Sequence, residues 1–313
     1  MSWNDAIGNN FSLLPENICY LIGNVKSKWE KEMRDITIVG HLVEDIIGGE
    51  RRIGGSTAYA ASTARRLGAD PGILTSKPRK FSFWQYYEGI PVWGKETDGP
   101  TIFELFYDDD GKRSIYLRER SDTISTDDVP EEAFDVKAAF ICPIMNEIPM
   151  TLFREFVSRG IRTVVTPQGF LRRPDDSGLV RPFLAKNIGE IAEAGAIIMS
   201  DQDHPDVIEL VEMWRKTCPV IIVTHGKRGA TVFNEGKSIF VPALPANEVD
   251  ATGAGDVFAT AFTLSWMKGR GVLESAGFAS AAAAFCVEGP GCSALTDEEN
   301  VLARLKSFKP VKS

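Results

Sequence analysis

The sequence predicts an α/β fold: a mostly parallel sheet with helices on both faces and a small separate β element. Three observations predict it. Short apolar, β-branched runs recur at 36–39, 138–141, 162–165, 196–199 and 220–223, as expected for strands buried on both faces. Helical stretches separate most of them, so neighbouring strands are joined by crossovers and run parallel. One part breaks the alternation: 101–107 and 112–117 flank Asp108-Asp109-Asp110-Gly111 and read as a β-hairpin.

Ile36-Thr37-Ile38-Val39, closed by Gly40, is the first strand. Leu42 to Ile47, a Gly48-Gly49 turn and Arg51-Arg52-Ile53 form a second hairpin. Gly54-Gly55 opens a helix capped by Ser56, which runs through Ala60 and Ala64 to Leu67 and stops at Gly68. Later strands at Ala138–Ile141, Arg162–Val165, Ala196–Met199 and Val220–Val223 alternate with helices near Met150–Ser158, Leu179–Ala194 and Pro205–Lys216. Residues 1–34 form an extension without an assigned role, with a short strand at 17–22 and a charged helix at 26–33. The main domain is 35–313.

Composition narrows the function. The chain has 313 residues, 43% hydrophobic and 25% charged, ordinary for a globular protein and enough for a sizeable core. A net charge of −8 argues against a general nucleic-acid binder. Cys19, Cys142, Cys218, Cys286 and Cys292 show no Cys-x-x-Cys pair, so reduced thiols are expected rather than a metal site. His41, His204 and His225 are also far apart. No run is long enough to span a membrane, and the first residues lack the basic-then-apolar order of a secretory signal. The expectation is a cytoplasmic monomer or homodimer acting on a small molecule, with no nucleic-acid or membrane partner.

The most informative stretch is Asp250-Ala251-Thr252-Gly253-Ala254-Gly255-Asp256, running into Val257 to Phe262. Small residues let backbone N–H groups approach an anion, and a helix start adds partial positive charge. Asp256 in the first turn can take a proton from a hydroxyl beside that anion. Anion hole plus base suits phosphoryl transfer to an alcohol. Two other readings of the glycines fail. Phe258 stands where a dinucleotide fingerprint needs a small residue, and in Gly49 to Ser56 Gly55 stands where a P-loop needs Lys.

This stretch resembles the second signature of the ribokinase family, the PfkB carbohydrate kinases, usually Asp-Thr-x-Gly-Ala-Gly-Asp; here Ala251 replaces the Thr. Further motifs follow in family order over roughly residues 35–308. The resemblance implies a ribokinase-like fold, in which a small β lid is formed by strands near 42–53 and 101–118, and ATP-dependent phosphorylation of a hydroxyl. It makes Asp256 the base and Gly253, Ala254 and Gly255 the anion hole.

Gly40-His41-Leu42-Val43-Glu44-Asp45 is similar to the family's Gly-x-x-x-x-Asp, which implies that Asp45 binds substrate hydroxyls; by pattern alone it reads as a turn residue, and Glu44 is the weaker candidate. Gly54-Gly55-Ser56-Thr57-Ala58-Tyr59-Ala60-Ala61 is similar to Gly-Gly-x-x-x-Asn-x-Ala, with Tyr59 in place of Asn, so Gly54 and Gly55 would approach the substrate. Gln168 and Arg172 fall in the family's substrate-side loop, although an exposed loop with incidental arginines reads equally well.

Ser200-Asp201-Gln202-Asp203 stands where the family has Asn-x-x-Glu. The resemblance implies nucleotide binding at Ser200 and an outer-sphere Mg²⁺ role for Asp203; the alternative is that Asp201 and Asp203 cap the helix near Pro205. Thr224-His225-Gly226-Lys227-Arg228-Gly229 is similar to the nucleotide-side Thr-x-Gly-x-x-Gly turn, implicating Thr224, Gly226 and Gly229. Gly289 and Ser293 follow the alanine-rich 279–284 segment on the adenine side. Asp250 and Thr252, with Ser293, fall where some members bind a monovalent cation such as K⁺.

The short early lid and the Gln168–Arg172 loop are more similar to inositol-type members than to ribokinase. The expected substrate is a sugar or cyclitol. A nucleoside kinase, or a non-catalytic sugar or nucleotide sensor on the same fold, is the alternative.

Overall fold

Alternation within each strand gives the sheet two buried faces. In β1 (Arg34–Val39), Ile36 and Ile38 join one hydrophobic cluster and Val39 the other, because successive side chains point to opposite faces. The computed structural model describes residues 33–108, 113–127 and 129–307. The expected strand at 17–22, most of the helix at 26–33 and the turn residues 109–112 lie outside the described residues.

The chain continues into the lid with β2 (Val43–Ile47) and β3 (Glu50–Gly54), then into α1 (Gly55–Arg66). β4 (Pro71–Leu74), β5 (Lys77–Pro78), β6 (Val92–Trp93) and β7 (Glu96–Thr97) follow. The second lid hairpin is β8 (Thr101–Tyr107) and β9 (Arg113–Glu119). Next come β10 (Val136–Ile141), α2 (Met150–Ser158), β11 (Arg162–Val165), β12 (Arg172–Pro174), β13 (Val180–Pro182) and β14 (Ala196–Ser200). The chain then forms α3 (Val207–Trp214), β15 (Val220–Thr224), β16 (Gly229–Asn234) and β17 (Lys237–Pro242). It ends with α4 (Ala254–Met267), α5 (Val272–Cys286) and α6 (Glu298–Ser307).

The main sheet has the order β17-β16-β15-β14-β11-β10-β1-β4-β6. It is parallel except where β16 pairs antiparallel with β15 and β17. Helices α1, α4 and α5 supply one cluster, with Ala58, Phe262 and Phe278, and α2 and α3 supply the other, with Phe153, Phe156 and Trp214. The lid sheet has the order β3-β2-β8-β9. Among the described residues no helix is long and apolar enough to cross a membrane.

Two local expectations fail. The segment 179–194 is not a helix: β13 pairs antiparallel with β12, and only Ile188–Glu193 forms a 3₁₀ turn. Pro182 opposes helix continuation. Gly178 takes φ +85° and its carbonyl accepts from the Leu117 N–H at 2.8 Å, so pairing with the lid overrides local propensity. Nor does Ser56 cap α1. Gly54 occupies that position with no side-chain cap bond, and Ser56 is buried and used elsewhere.

Candidate active site

The chemistry-bearing residues gather beyond the carboxyl ends of the parallel strands, where ligands bind in such sheets. β1 leads to Asp45, β11 to Gln168 and Arg172, β14 to Ser200 and Asp203, and β15 to Thr224. The start of α4 supplies Asp256.

Gly253 is the N-cap of α4, with φ +79°, a conformation glycine adopts without a Cβ penalty. A Cβ there would also overlap the ring of Tyr59. Tyr59 therefore lies beneath the anion loop. Its burial, with Cys292, Asp250 and Asp256 nearby, pushes its hydroxyl far above the ordinary range. The Ala254 N–H bonds to the Ala251 carbonyl at 3.3 Å. The N–H groups of Gly253 and Gly255 take no backbone partner among the described residues, as the free donors at a helix start require. Of the three expected hole residues, these two carry the open donors.

Asp256 lies among Ser56, Asp203, Arg172 and Arg113. Burial pushes its carboxyl up to about 6, a rise limited by a hydrogen bond with Ser56, reinforced by Asp203 and further limited by Arg172 and Arg113. Asp45 sits across the cleft on β2, opposite Phe103 of β8. Its carboxyl is also pushed to about 6 by burial, against the charges of Arg113 and Arg172. The carboxylate passes directly over Gly54, where any Cβ would overlap it. Glu44 is not an alternative. It points to the other face, pairs with Arg51 and accepts from the Ser82 N–H at 2.8 Å.

Arg172 is charged into the same space. Its Nε donates to the Ile144 carbonyl at 2.8 Å and its guanidinium lies 5.5 Å from the Phe103 ring centre. Burial works against its charge, while Asp203, Glu147 and Asp256 support it. Gln168 is committed: its Nε2 donates to Asp203 at 3.1 Å. The other Asp203 oxygen accepts from the Ser200 N–H at 2.8 Å. Burial raises the Asp203 carboxyl, and these bonds and Arg172 oppose the rise. Neither Asp201 nor Asp203 caps α3, whose N-cap is Asp206 without a side-chain bond.

Asp201 instead accepts from Arg228 at 2.6 Å and contacts His225 Nδ1 at 2.9 Å. The His225 ring stacks on Phe240, with centroids 6.4 Å apart. Thr224 donates to the Met199 carbonyl at 3.3 Å. Gly226 stands in open space, whereas Gly229 is required by packing, since a Cβ would strike the Val241 carbonyl. Burial alone would raise the Asp250 carboxyl, but donors from Thr252 at 2.9 Å and Gly291 at 3.3 Å hold it below the ordinary value. Gly289 lies against Ser293.

Sequence reasoning missed three participants. Ser56 reads locally as a helix cap, yet it bonds Asp256. Arg113 sits in a charged hairpin where its direction depends on register. Glu147 is fully buried and accepts from the backbone of His41, Ile144 and Met145; nothing in its local pattern marks it. Cys142, Cys218, Cys286 and Cys292 form no disulfide among the described residues.

The chain is similar in sequence and in fold to known proteins. The profile of the pfkB family carbohydrate kinases matches residues 185–299. The chain is 26% identical over 261 residues to a cytidine kinase of Thermococcus kodakarensis, covering 77% of this chain and 92% of that protein. It is 23% identical over 257 residues to an inositol 3-kinase of Arabidopsis thaliana, covering 78% and 71%. A pyrophosphate-dependent kinase of the ribokinase family, solved with a pyrophosphate analogue and myo-inositol, superposes with a TM-score of 0.70 at 22% identity, covering 86% of this chain and 99% of that one.

Proposed function

We infer residue roles and an acceptor class from one premise: the chain belongs to the PfkB family of carbohydrate kinases, ATP-dependent phosphotransferases acting on an alcohol group. Asp256 takes the proton of the acceptor hydroxyl. The N–H groups of Gly253 and Gly255 hold the negative charge that develops on the transferring phosphoryl. The observation that carries this reading is the placement of a carboxyl of pKa about 6 in the first helical turn, directly after open N–H donors. Such a carboxyl is ionised at neutral pH yet basic enough to accept a proton.

Asp45 binds acceptor hydroxyls with Arg172 beside it, and Gly54 and Gly55 serve that site by leaving room for the Asp45 carboxylate and for Val43 rather than by approaching the acceptor themselves. Gln168 acts through Asp203. On the donor side, Ser200, Thr224 and Gly226 line the nucleotide path, with Gly289 and Ser293 beyond. Exposed Phe240 and Val249 supply apolar surface suited to a base. Mg²⁺ would neutralise charge on the donor phosphates. Asp203 fits it only through water, since both its oxygens hold protein donors and no cluster of three metal-ligating side chains occurs among the described residues. A monovalent cation such as K⁺ would rely on carbonyl oxygens near Thr252, because both Asp250 oxygens are engaged. Free buried thiols suit a reducing, cytoplasmic setting.

The acceptor is a compact polyol, such as a cyclitol or sugar. The two-residue turn between β2 and β3 leaves little lid material to enclose a large base. A nucleoside is the second reading, favoured by the apolar inner face of the lid at Phe103 and Leu105, which packs with Met145. ADP formation with myo-inositol, ribose, adenosine and cytidine tests this. The expected result is the highest kcat/KM for myo-inositol or ribose. A higher value for either nucleoside would overturn the polyol assignment.

A further inference from the structure

His41 lies between β1 and β2 and takes no part in the roles above. It is fully buried, and each of its four polar atoms bonds a different segment. Its N–H donates to Glu147 Oε1 at 3.2 Å, in the loop after β10, and its carbonyl accepts from Thr57 Oγ1 at 2.8 Å, in the first turn of α1. Its ring reaches the lid. Nδ1 lies 2.8 Å from Thr101 Oγ1, at the start of β8, and Nε2 lies 2.8 Å from the Asp122 carbonyl, just past β9. The chain passes between the main sheet and the lid before β2, after β3, before β8 and after β9. His41 occupies the first of these passages and bonds the segments at the other three.

The bonding partners fix the state of the ring. The Asp122 carbonyl only accepts, so Nε2 carries the proton and Nδ1 accepts from the Thr101 hydroxyl. Burial holds the ring below its ordinary value and keeps it neutral. The Thr101 oxygen in turn accepts from the Ser121 N–H at 3.1 Å, so the relay of bonds closes on the adjacent residues Ser121 and Asp122. The Thr101 N–H also donates to the Leu42 carbonyl at 3.2 Å. These bonds stand at the first rung of the parallel pairing of β2 with β8, where Val43 meets Thr101; Asp45 meets Phe103 two rungs on. A slip of one residue there would turn Asp45 to the opposite face. Asp45 makes no hydrogen bond among the described residues, so this register is what aims its carboxyl.

We propose that His41 is a positioning residue for the acceptor: it pins the roots of the lid strands and so fixes the register that turns Asp45 into the cleft. This rests on the acceptor role of Asp45 given above. With no exposed surface, the ring acts only through its partners. Its effect passes through Thr101 and Asp122 to β8 and β9, and from β8 to β2. In the lid order β3-β2-β8-β9, the central pair is parallel and the outer pairs are antiparallel. Parallel pairing is slightly less stable per residue, so the pin stands at the weakest join of the lid.

The test compares wild type with His41→Leu, His41→Gln, Thr101→Val and the double variant of His41→Leu with Asp45→Ala. Leu fills the space without polar atoms, whereas the Gln amide reaches the Nε2 position and still donates to the Asp122 carbonyl. In calorimetric titrations with the best acceptor of the panel, His41→Leu should bind about tenfold more weakly, the scale of one or two lost hydrogen bonds. ATP binding should stay within about threefold, and His41→Gln should recover part of the loss. In the Asp45→Ala background, His41→Leu should cost less than about threefold, because the residue it aims is gone. A tenfold loss in that background, equal losses for Leu and Gln, or equal losses for acceptor and ATP would overturn the proposal. Thr101→Val removes only the hydroxyl that meets Nδ1 and serves if the Leu variant does not fold; about threefold weaker acceptor binding is expected, and unchanged binding would overturn the proposal. Amide hydrogen exchange needs neither acceptor nor turnover, so it separates failure of the proposal from failure of the kinase reading. Amides of β2 and β8 should exchange about tenfold faster in His41→Leu, and faster in Thr101→Val, while β10 and β11 keep wild-type rates. Unchanged exchange in the lid, or equal acceleration in both sheets, would overturn the proposal even if no panel acceptor is phosphorylated.

Discussion

The two flanks of the cleft hold similar charges in opposite ways. On the donor flank, Asp201 is tied to Arg228 and His225, and Asp203 to Ser200 and Gln168. On the acceptor flank, Asp45 has no hydrogen-bond partner among the described residues, and Arg172 makes only its Nε bond to the Ile144 carbonyl. Burial raises both Asp45 and Asp256 to about 6. The difference separates scaffold from site. A carboxylate whose lone pairs are already filled shapes a loop, whereas one left bare in a half-buried cleft is completed by a ligand.

The largest expected effect breaks the acceptor flank at its base. Asp256→Asn should lower kcat by about 10²–10⁴-fold, the usual worth of general-base catalysis, with ATP binding by calorimetry little changed. Turnover near wild type would remove Asp256 from that role. Next, Asp45→Ala should weaken acceptor binding by roughly 10–100-fold, the scale of a lost charged hydrogen bond, while ATP binding stays within about threefold. Separate titrations of the two ligands read this directly, and equal losses for both would erase the distinction between flanks.

The pH dependence sharpens the same contrast. Asp256 must be ionised to accept a proton, so kcat/KM should rise with pH through about 6 and level off above it. A profile flat from pH 5 to 8 would contradict the assignment. Smallest is the donor flank. Asp201→Asn should change acceptor KM by less than about threefold and cost about 1 kcal/mol of stability, since it loses a partly exposed ion pair with Arg228 and weakens the His225 contact. Equilibrium denaturation and steady-state kinetics on the same variant decide it.

The same division governs what could be read from the chain. Strands such as 36–39 and 220–223 are legible because burial on both faces demands continuous apolar runs. The glycine-rich helix start and Asp256 are legible because their chemistry is local: positive φ, free N–H groups and an acid lie within four residues. The segment 179–194 is not legible as a strand because only half of its pairing is local: β13 pairs with nearby β12, but Leu179 bridges to Tyr116 of the lid, which is distant in sequence. Arg113 escaped for a related reason, since a one-residue slip in the β8–β9 register would turn it outward. Tyr59 could be placed only by the glycine it covers, almost two hundred residues away.

Thermal unfolding of Asp256→Asn and Asp201→Asn at pH 7.5 tests the central claim most directly. A carboxyl raised from 3.8 to about 6 by folding binds more protons in the native state between those values. Its contribution therefore lowers stability as pH rises through that window, and the full penalty stands at neutral pH. Removing the charge should relieve about 1–2 kcal/mol, less than the shift alone implies because the group still faces the open cleft. Asp256→Asn is thus expected to melt several degrees above wild type while losing turnover, and Asp201→Asn to melt below it while keeping turnover. An Asp256→Asn protein that melts lower than wild type would show that its carboxylate is a satisfied structural group, contradicting the division between scaffold and site.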